Sequence, residues 1–193
     1  MRERRPPFLD DSASLRVARR AYLASMWLPE DGGYDDRWVS LKIGPVPFAI
    51  PNTASRRRAV RLHDLHHVLT GYRTDWPGEF EISAFEIASG CRDYVAAWVL
   101  NLGGLAAGAL LRPRRTFRAF QRGRRARNLY REGYSSALLG ESVGAARARL
   151  GLDAAPSAAT AGDVAAFAVW TLVAWAGTLG PLLVGLLGVA ALR

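Results

Sequence analysis

All three histidines of the 193-residue chain, His63, His66 and His67, fall within five consecutive positions, and the chemistry of the sequence is concentrated there. On a helix turning about 100° per residue, His67 stands about 40° from His63, with Asp64 about 100° to one side and His66 about 60° to the other. Side chains four apart on a helix lie one above the other, the placement two imidazoles need to share one metal ion. Asp64 and His66 flank that pair on opposite sides, so only one of them readily joins it. A bare polar helix face would account for an isolated pair. Here a carboxylate stands within the cluster and Glu79 follows across one short loop, so the residues read as a divalent-metal site.

The elements that must position this cluster read as helices. Ser12 or Ser14 caps a first helix that stops by Pro29, its apolar side carrying Leu15, Ala18, Tyr22, Leu23 and Met26. Residues 30–52 read as irregular chain punctuated by Gly32, Gly33, Pro45, Pro47 and Pro51, with at most a short strand over 39–43 that has no partner run. Asn52, Thr53 or Ser55 caps the histidine-bearing helix, which runs to Thr70, where Gly71 supplies a left-handed stop. A loop through Asp75, Trp76, Pro77 and Gly78 leads to a second long helix starting near Glu79. Glu86 lies seven residues on, roughly on the same side, and is a candidate acceptor for a ligand histidine, with an internal ion pair as its plainer role. Arg61 and Arg73 lie near the ligands and are candidates to orient a substrate carboxylate, although a solvated surface position suits each equally.

Residues 95–111 form an uncharged run broken only by Asn101. It falls short of the roughly 20 residues a bilayer span requires, so it reads as a buried or membrane-skirting helix. Between 112 and 131 nine arginines and no acidic residue alternate with Phe117, Phe120, Leu129 and Tyr130. That pattern suits an amphipathic helix on anionic lipid, where each basic residue contributes about 1 kcal/mol. Residues 164–192 carry no charge at all. As one helix they would extend about 44 Å, beyond the roughly 30 Å of hydrocarbon. Gly177, Thr178, Gly180 and Pro181 near the middle allow a kink or a hairpin, with one kinked, tilted span preferred. Arg147 and Arg149 precede the segment and Arg193 alone follows it, which places the main domain on the cytoplasmic side.

The organisation expected is therefore all-α: a flexible N-terminus over 1–13, one helical domain over 14–152, a linker over 153–163 and a membrane-inserted hydrophobic helix or hairpin over 164–192. Half the residues are apolar and 22% charged, which excludes a disordered chain. The net charge of +9 comes almost wholly from arginine, Lys42 being the only lysine, and suits a phosphate-bearing surface. Lipid ranks ahead of nucleic acid, for which no motif is present. Cys91 is the single cysteine, so neither an intrachain disulfide nor a cysteine zinc cluster can form. Pro6, Pro7, Asp10 and Asp11 exclude a secretory signal at the N-terminus.

The full pattern, H-D-x-x-H followed after eleven residues by E within RLHDLHHVLTGYRTDWPGEFE, resembles the motif of the fourth Coq protein of ubiquinone (coenzyme Q) biosynthesis. Gly71, Gly78 and Glu86 also match, and NLYREGYSSALLGESVGAARARLGL is similar to that family's closing helices. The apolar tail is a departure from it. The resemblance implies His63, Asp64, His67 and Glu79 as metal ligands, with zinc as the metal, although nitrogen and oxygen donors suit manganese or ferrous iron as well. It implies a membrane-associated protein that binds a polyprenylated benzoquinone precursor. The activity is either oxidative decarboxylation at ring carbon C1, a lyase-like reaction with no catalytic residue yet assigned, or non-catalytic scaffolding of other quinone-biosynthesis enzymes. A second copy of the chain is a further partner allowed. A zinc peptidase ranks lower, because Asp64 is a short-armed base and Glu79 lies at the wrong spacing. For the prenyl tail the expected groove residues are Ile82, Phe85, Val95, Trp98, Leu102 and Leu105, with Gly103, Gly104 and Gly108 leaving room.

Overall fold

A computed structural model describes residues 10–43, 46–155 and 157–191. Ser14 caps helix α1 (Leu15–Ser25) by accepting from the Val17 N–H, and Thr53 caps α2 (Ala54–Thr70) by accepting from Arg56. Gly71, at a φ of 75°, ends α2 in the left-handed region that a side chain rarely enters. Helix α3 (Trp76–Ser89) begins three residues earlier than Glu79, because Asp75 caps it and Pro77 is tolerated in a first turn whose N–H groups have no intrahelical acceptor. The second long helix expected from the sequence is interrupted at residues 90–94 and resumes as α4 (Val95–Leu111). Helix α5 (Pro113–Arg125), a single 3-10 turn (Leu129–Arg131), the short α6 (Ser136–Gly140) and α7 (Val143–Leu150) follow. The last helix, α8 (Ala161–Ala191), runs unbroken past Gly180 and Pro181, so a helical hairpin is not formed; Leu192 lies outside the described residues.

The region between α1 and α2 differs from the irregular chain expected. Strands β1 (Trp38–Ile43) and β2 (Val46–Pro51) pair antiparallel, with Trp38 opposite Pro51 and Ile43 opposite Val46. Pro47 and Pro51 hide the partner run in the sequence, yet a two-stranded ribbon has a free edge on each strand where a missing N–H costs nothing. Of the expected N-terminal segment, residues 1–9 lie outside the described residues, as do Pro45 and, in the linker, Pro156. The chain is otherwise all-α, as composition and periodicity indicate.

The core gathers Leu15 and Leu23 from α1, Leu62, Leu65 and Leu69 from α2, Phe85 and Ile87 from α3, Phe120 from α5 and Leu150 from α7. Helices α3 and α5 approach closely enough that a Cβ on Gly123 would lie 2.4 Å from the Phe85 carbonyl oxygen. The arginines of α5 find partners inside the fold. Arg115 pairs with Glu81 at 2.6 Å, Arg122 donates to the carbonyls of Thr70 and Leu152 at 2.9 and 3.1 Å, and Arg124 and Arg125 pair with Asp163 at 3.0 and 2.6 Å. Arg112, Arg114 and Arg118 remain exposed.

Helix α8 docks its first half on α4 and α5. Trp170 stacks on Trp98 with ring centres 5.5 Å apart, Phe167 meets Phe117 and Phe120 edge-on, and the Trp175 indole donates to the Ala106 carbonyl at 3.1 Å. Only 17% of Ala161–Thr178 is buried, although its mean hydropathy of 1.2 and its length suffice for a bilayer crossing. Val164, Val169 and Leu172 on α8, with Val95, Val99, Leu110 and Leu111 on α4, form exposed apolar surface. These features are consistent with membrane association.

Candidate metal centre

Two adjacent elements build the site. Helix α2 presents His63 and His67 one turn apart, and the tight return at residues 71–75 brings the first turn of α3 back against them. Gly78 makes that return possible: a Cβ there would sit 1.9 Å from the Arg73 carbonyl oxygen. Glu79, one residue on, then faces both imidazoles. His63 Nε2 and His67 Nε2 lie 3.2 Å apart, and the Glu79 carboxylate oxygens lie 3.5 Å from the first and 3.3 Å from the second. The Glu79 side chain is 37% exposed and that of His67 only 1%.

The hydrogen bonds behind the rings place one proton on each Nδ1. His63 Nδ1–H donates to Glu86 Oε1 at 2.9 Å, and His67 Nδ1–H donates to the Tyr72 carbonyl at 3.0 Å. With the rings neutral, both Nε2 atoms present lone pairs to each other and to a carboxylate, an arrangement of acceptors that a cation completes, either a metal ion or the proton that it displaces. Bonds of about 2.0–2.1 Å at tetrahedral angles place neighbouring donor atoms about 3.4 Å apart, and the three separations of 3.2, 3.3 and 3.5 Å match this closely. His63, His67 and Glu79 can thus hold a metal ion.

His66 and Asp64 take other roles. Glu86 Oε1 accepts from His66 Nδ1–H at 2.6 Å, while His66 Nε2 accepts the Leu129 backbone N–H at 2.9 Å. Both ring nitrogens are committed, so His66 fastens the 3-10 turn to α2. Asp64 lies beside the triad and outside it, its carboxylate accepting the Tyr34 hydroxyl. The Tyr34 ring is flanked by Arg19 and Arg61, whose guanidinium carbons lie 5.0 and 5.2 Å from its centre.

Glu86, wholly buried, is the hub. Besides the two imidazoles it accepts from the Tyr130 hydroxyl at 2.8 Å and from the Asn101 amide. Burial alone would raise its pKa, but His63 and His66 outweigh that and hold it well below the ordinary carboxylate range. Burial likewise works to depress the His63 pKa, and Glu86 and Glu79 overcome it, leaving His63 well above the usual value. Glu79 is lowered by its histidines against the effect of burial, whereas burial raises Asp64 despite the Tyr34 hydrogen bond.

A cavity of about 600 Å³ opens beside the triad, with His63 and Glu79 in its wall. Its lining repeats at helical spacing: Arg56, Ala59, Val60 and His63 from α2, and Ala97, Leu100, Asn101 and Gly104 from α4. Trp76, Phe80 and Ser83 of α3, Thr74 and Asp75 before it, Ile50 of β2 and Tyr130 complete the wall. None of the six groove residues expected from the sequence lines this cavity. Ile82, Phe85 and Leu105 are buried in the helix core, Val95 is exposed, and Trp98 and Leu102 are half-buried against that core, with Trp98 stacked under α8. Gly104 does open onto the cavity, with Ser83 directly opposite, whereas Gly108 serves close packing against Phe80 and Thr116. Arg73 is exposed and pairs with Asp75 at 2.9 Å, and Arg61 lies over Tyr34 and Tyr134. Of the residues that sequence reasoning did not single out as functional, Asn101 carried a signal, as the one polar position in an otherwise apolar run; Arg56 and Tyr130 carried none.

Compared with known proteins, the chain matches no family model, and no curated protein and no solved structure is significantly similar to it.

Proposed function

We propose that this protein acts in ubiquinone biosynthesis, binding a polyprenylated benzoquinone precursor at a divalent-metal site of nitrogen and oxygen donors, with zinc as the metal, and removing the ring carboxylate at C1. The observation that carries this reading is the continuity between the triad and the cavity, since His63 and Glu79 belong to both. A divalent ion held by His63, His67 and Glu79 would supply a Lewis acid for a ring or carboxylate oxygen. Glu86 and the Tyr72 carbonyl hold the Nδ1 protons of the two histidines and so fix the direction of both Nε2 atoms. Asn101 and Tyr130, also on the cavity wall, fix Glu86 in turn. Ala59, Val60, Phe80 and Leu100 supply apolar wall that keeps water from a bound ring.

Membrane association belongs to the same proposal. Trp76 and Leu100 line the cavity and are themselves about half exposed, so its mouth adjoins apolar surface. A lipid substrate reaches such a mouth without crossing water, with α8 in the bilayer, the exposed arginines near anionic headgroups and the main domain on the cytoplasmic side. A three-donor triad with Asp64 engaged by Tyr34 favours a catalyst over a purely structural ion, because it leaves a position for substrate. The scaffold reading requires a closed, four-ligand site. Extraction of the purified protein followed by mass spectrometry tests the proposal. An isoprenoid quinone or its precursor is the expected ligand. Common phospholipid alone, together with normal ubiquinone in a deletion strain, would overturn it.

A further inference from the structure

Among the basic residues at the start of α2, three are adjacent and their side chains fare differently. Arg58 pairs with Asp93 at 2.9 Å, and Arg57 donates to the Asn52 carbonyl at 2.9 Å. Arg56 turns toward the cavity. Its Nη1 donates to Asn52 Oδ1 at 3.0 Å, while its Nε is enclosed and has no hydrogen-bond partner among the described residues. No carboxylate of the described residues forms an ion pair with it. Asp75, on the same cavity wall, is committed to Arg73 and to the Gly78 N–H, and Glu79 faces the two histidines.

That Nε has almost no accessible surface, so a ligand in the cavity meets Arg56 at Nη2, which makes no hydrogen bond among the described residues and is not enclosed. Arg61 makes the contrast. Its Nε is also unpartnered, but Arg61 is not in the wall of this cavity; its guanidinium lies over the rings of Tyr34 and Tyr134 and pairs with Asp35 at 3.9 Å. Arg56 also stands two helical turns before His63 on the same face of α2, about 10 Å along the axis. An anion on Arg56 and an oxygen at the metal triad are therefore separate points of attachment. Val60, Phe80 and Leu100 offer apolar wall for what lies beside them.

We infer that Arg56 is the residue by which this cavity recognises an oxyanion, a carboxylate or a phosphate monoester, carried by an apolar ligand. The inference rests on the cavity of the proposed function and is independent of the identity of the ring. It assigns Arg56, rather than Arg61 or Arg73, as the residue that selects the substrate's charge.

The test is equilibrium binding of radiolabelled dodecanoate, dodecyl phosphate, dodecanol and dodecyltrimethylammonium to the full-length protein in neutral detergent. Wild type should prefer at least one of the two anions over dodecanol by about tenfold or more, and which anion wins separates a carboxylate from a phosphate ligand. Arg56→Gln should abolish that preference while dodecanol binds as before. An anion preference that persists in Arg56→Gln would place the anion at the metal triad instead and overturn the inference, as would its absence in wild type. Should Arg56→Gln fail to fold, wild type alone decides: dodecyltrimethylammonium must bind more weakly than dodecanol, and equal or tighter binding overturns the assignment. Binding of dodecanol without any anion preference would defeat this inference and leave the apolar cavity of the proposed function standing. Binding of none of the four would defeat both.

Discussion

Replacing Glu86 by Gln removes one charge and changes no volume, and it should weaken both the fold and the metal. Four donors converge on this carboxylate: His63 and His66 on one oxygen, Asn101 and Tyr130 on the other. Glutamine offers a carbonyl to one pair and an NH₂ to the other, so at least one buried donor loses its acceptor. Each hydrogen bond to a buried charge is worth about 1.5–3 kcal/mol. Weakening two of them while the amide dipole compensates in part gives a loss of about 3 kcal/mol, or roughly 10 °C in melting temperature for a chain of this size. Because the same oxygen holds the His63 Nδ1 proton, metal affinity should fall about 10–100-fold. Thermal unfolding by circular dichroism in neutral detergent reads the first effect, and zinc competition against a chelating dye reads the second. Leu150→Ala, a buried change in α7 at a residue that belongs to neither the cavity wall nor the ligand set named above, is the control for instability alone. If Glu86→Gln melted like that control yet bound zinc within twofold of wild type, Glu86 would have no part in directing His63. An unchanged melting temperature would refute the hub itself.

Three further outcomes follow from the same geometry. His66→Ala should keep its metal but lose stability by about 1–3 kcal/mol, because the Leu129 N–H is left without an acceptor; metal analysis and melting of one sample check both. Gly123→Ala should cost about 1–3 kcal/mol by forcing α3 and α5 apart, read as a lower melting temperature with helical content retained. Metal affinity should fall as the pH is lowered. Glu86 and Glu79 raise the His63 pKa, so in the metal-free chain the proton that a metal must displace persists above the usual histidine range. Calorimetric titration in two buffers of different ionisation enthalpy measures that proton release directly, and its absence at pH 7 would contradict the assignment.

The histidine face was legible in the sequence because it depends on local rules. Thr53, Gly71 and the four-residue spacing of His63 and His67 set α2 and its ligands without reference to the rest of the chain. What the sequence could not show lies in contacts between residues far apart. Asp64 and His66 flank the pair as helical angles require, yet only the positions of Tyr34 and Leu129 reveal that both are otherwise engaged. The basic run of α5 reads as a lipid-facing stripe until Glu81, Thr70 and Asp163 appear beside it. Glu86 could be placed on the side of Glu79, but its partners Asn101 and Tyr130 come from later elements. The cavity follows the face of α4 that carries Ala97, Leu100 and Gly104, and helix period alone does not say which face of an all-apolar helix meets its neighbours. The hairpin was hidden because the prolines that argue against a central strand permit an edge.

The central claim is that His63, His67 and Glu79 form one metal site. Elemental analysis of the purified full-length protein, beside the His63→Ala/His67→Ala double variant, tests it most directly. The account predicts about one divalent ion per chain in wild type and almost none in the variant, since both imidazole ligands are gone and His66 is committed to Glu86 and Leu129. A double variant that retained its metal in full, or a wild type that took up none when supplied with zinc, manganese or ferrous iron, would contradict it.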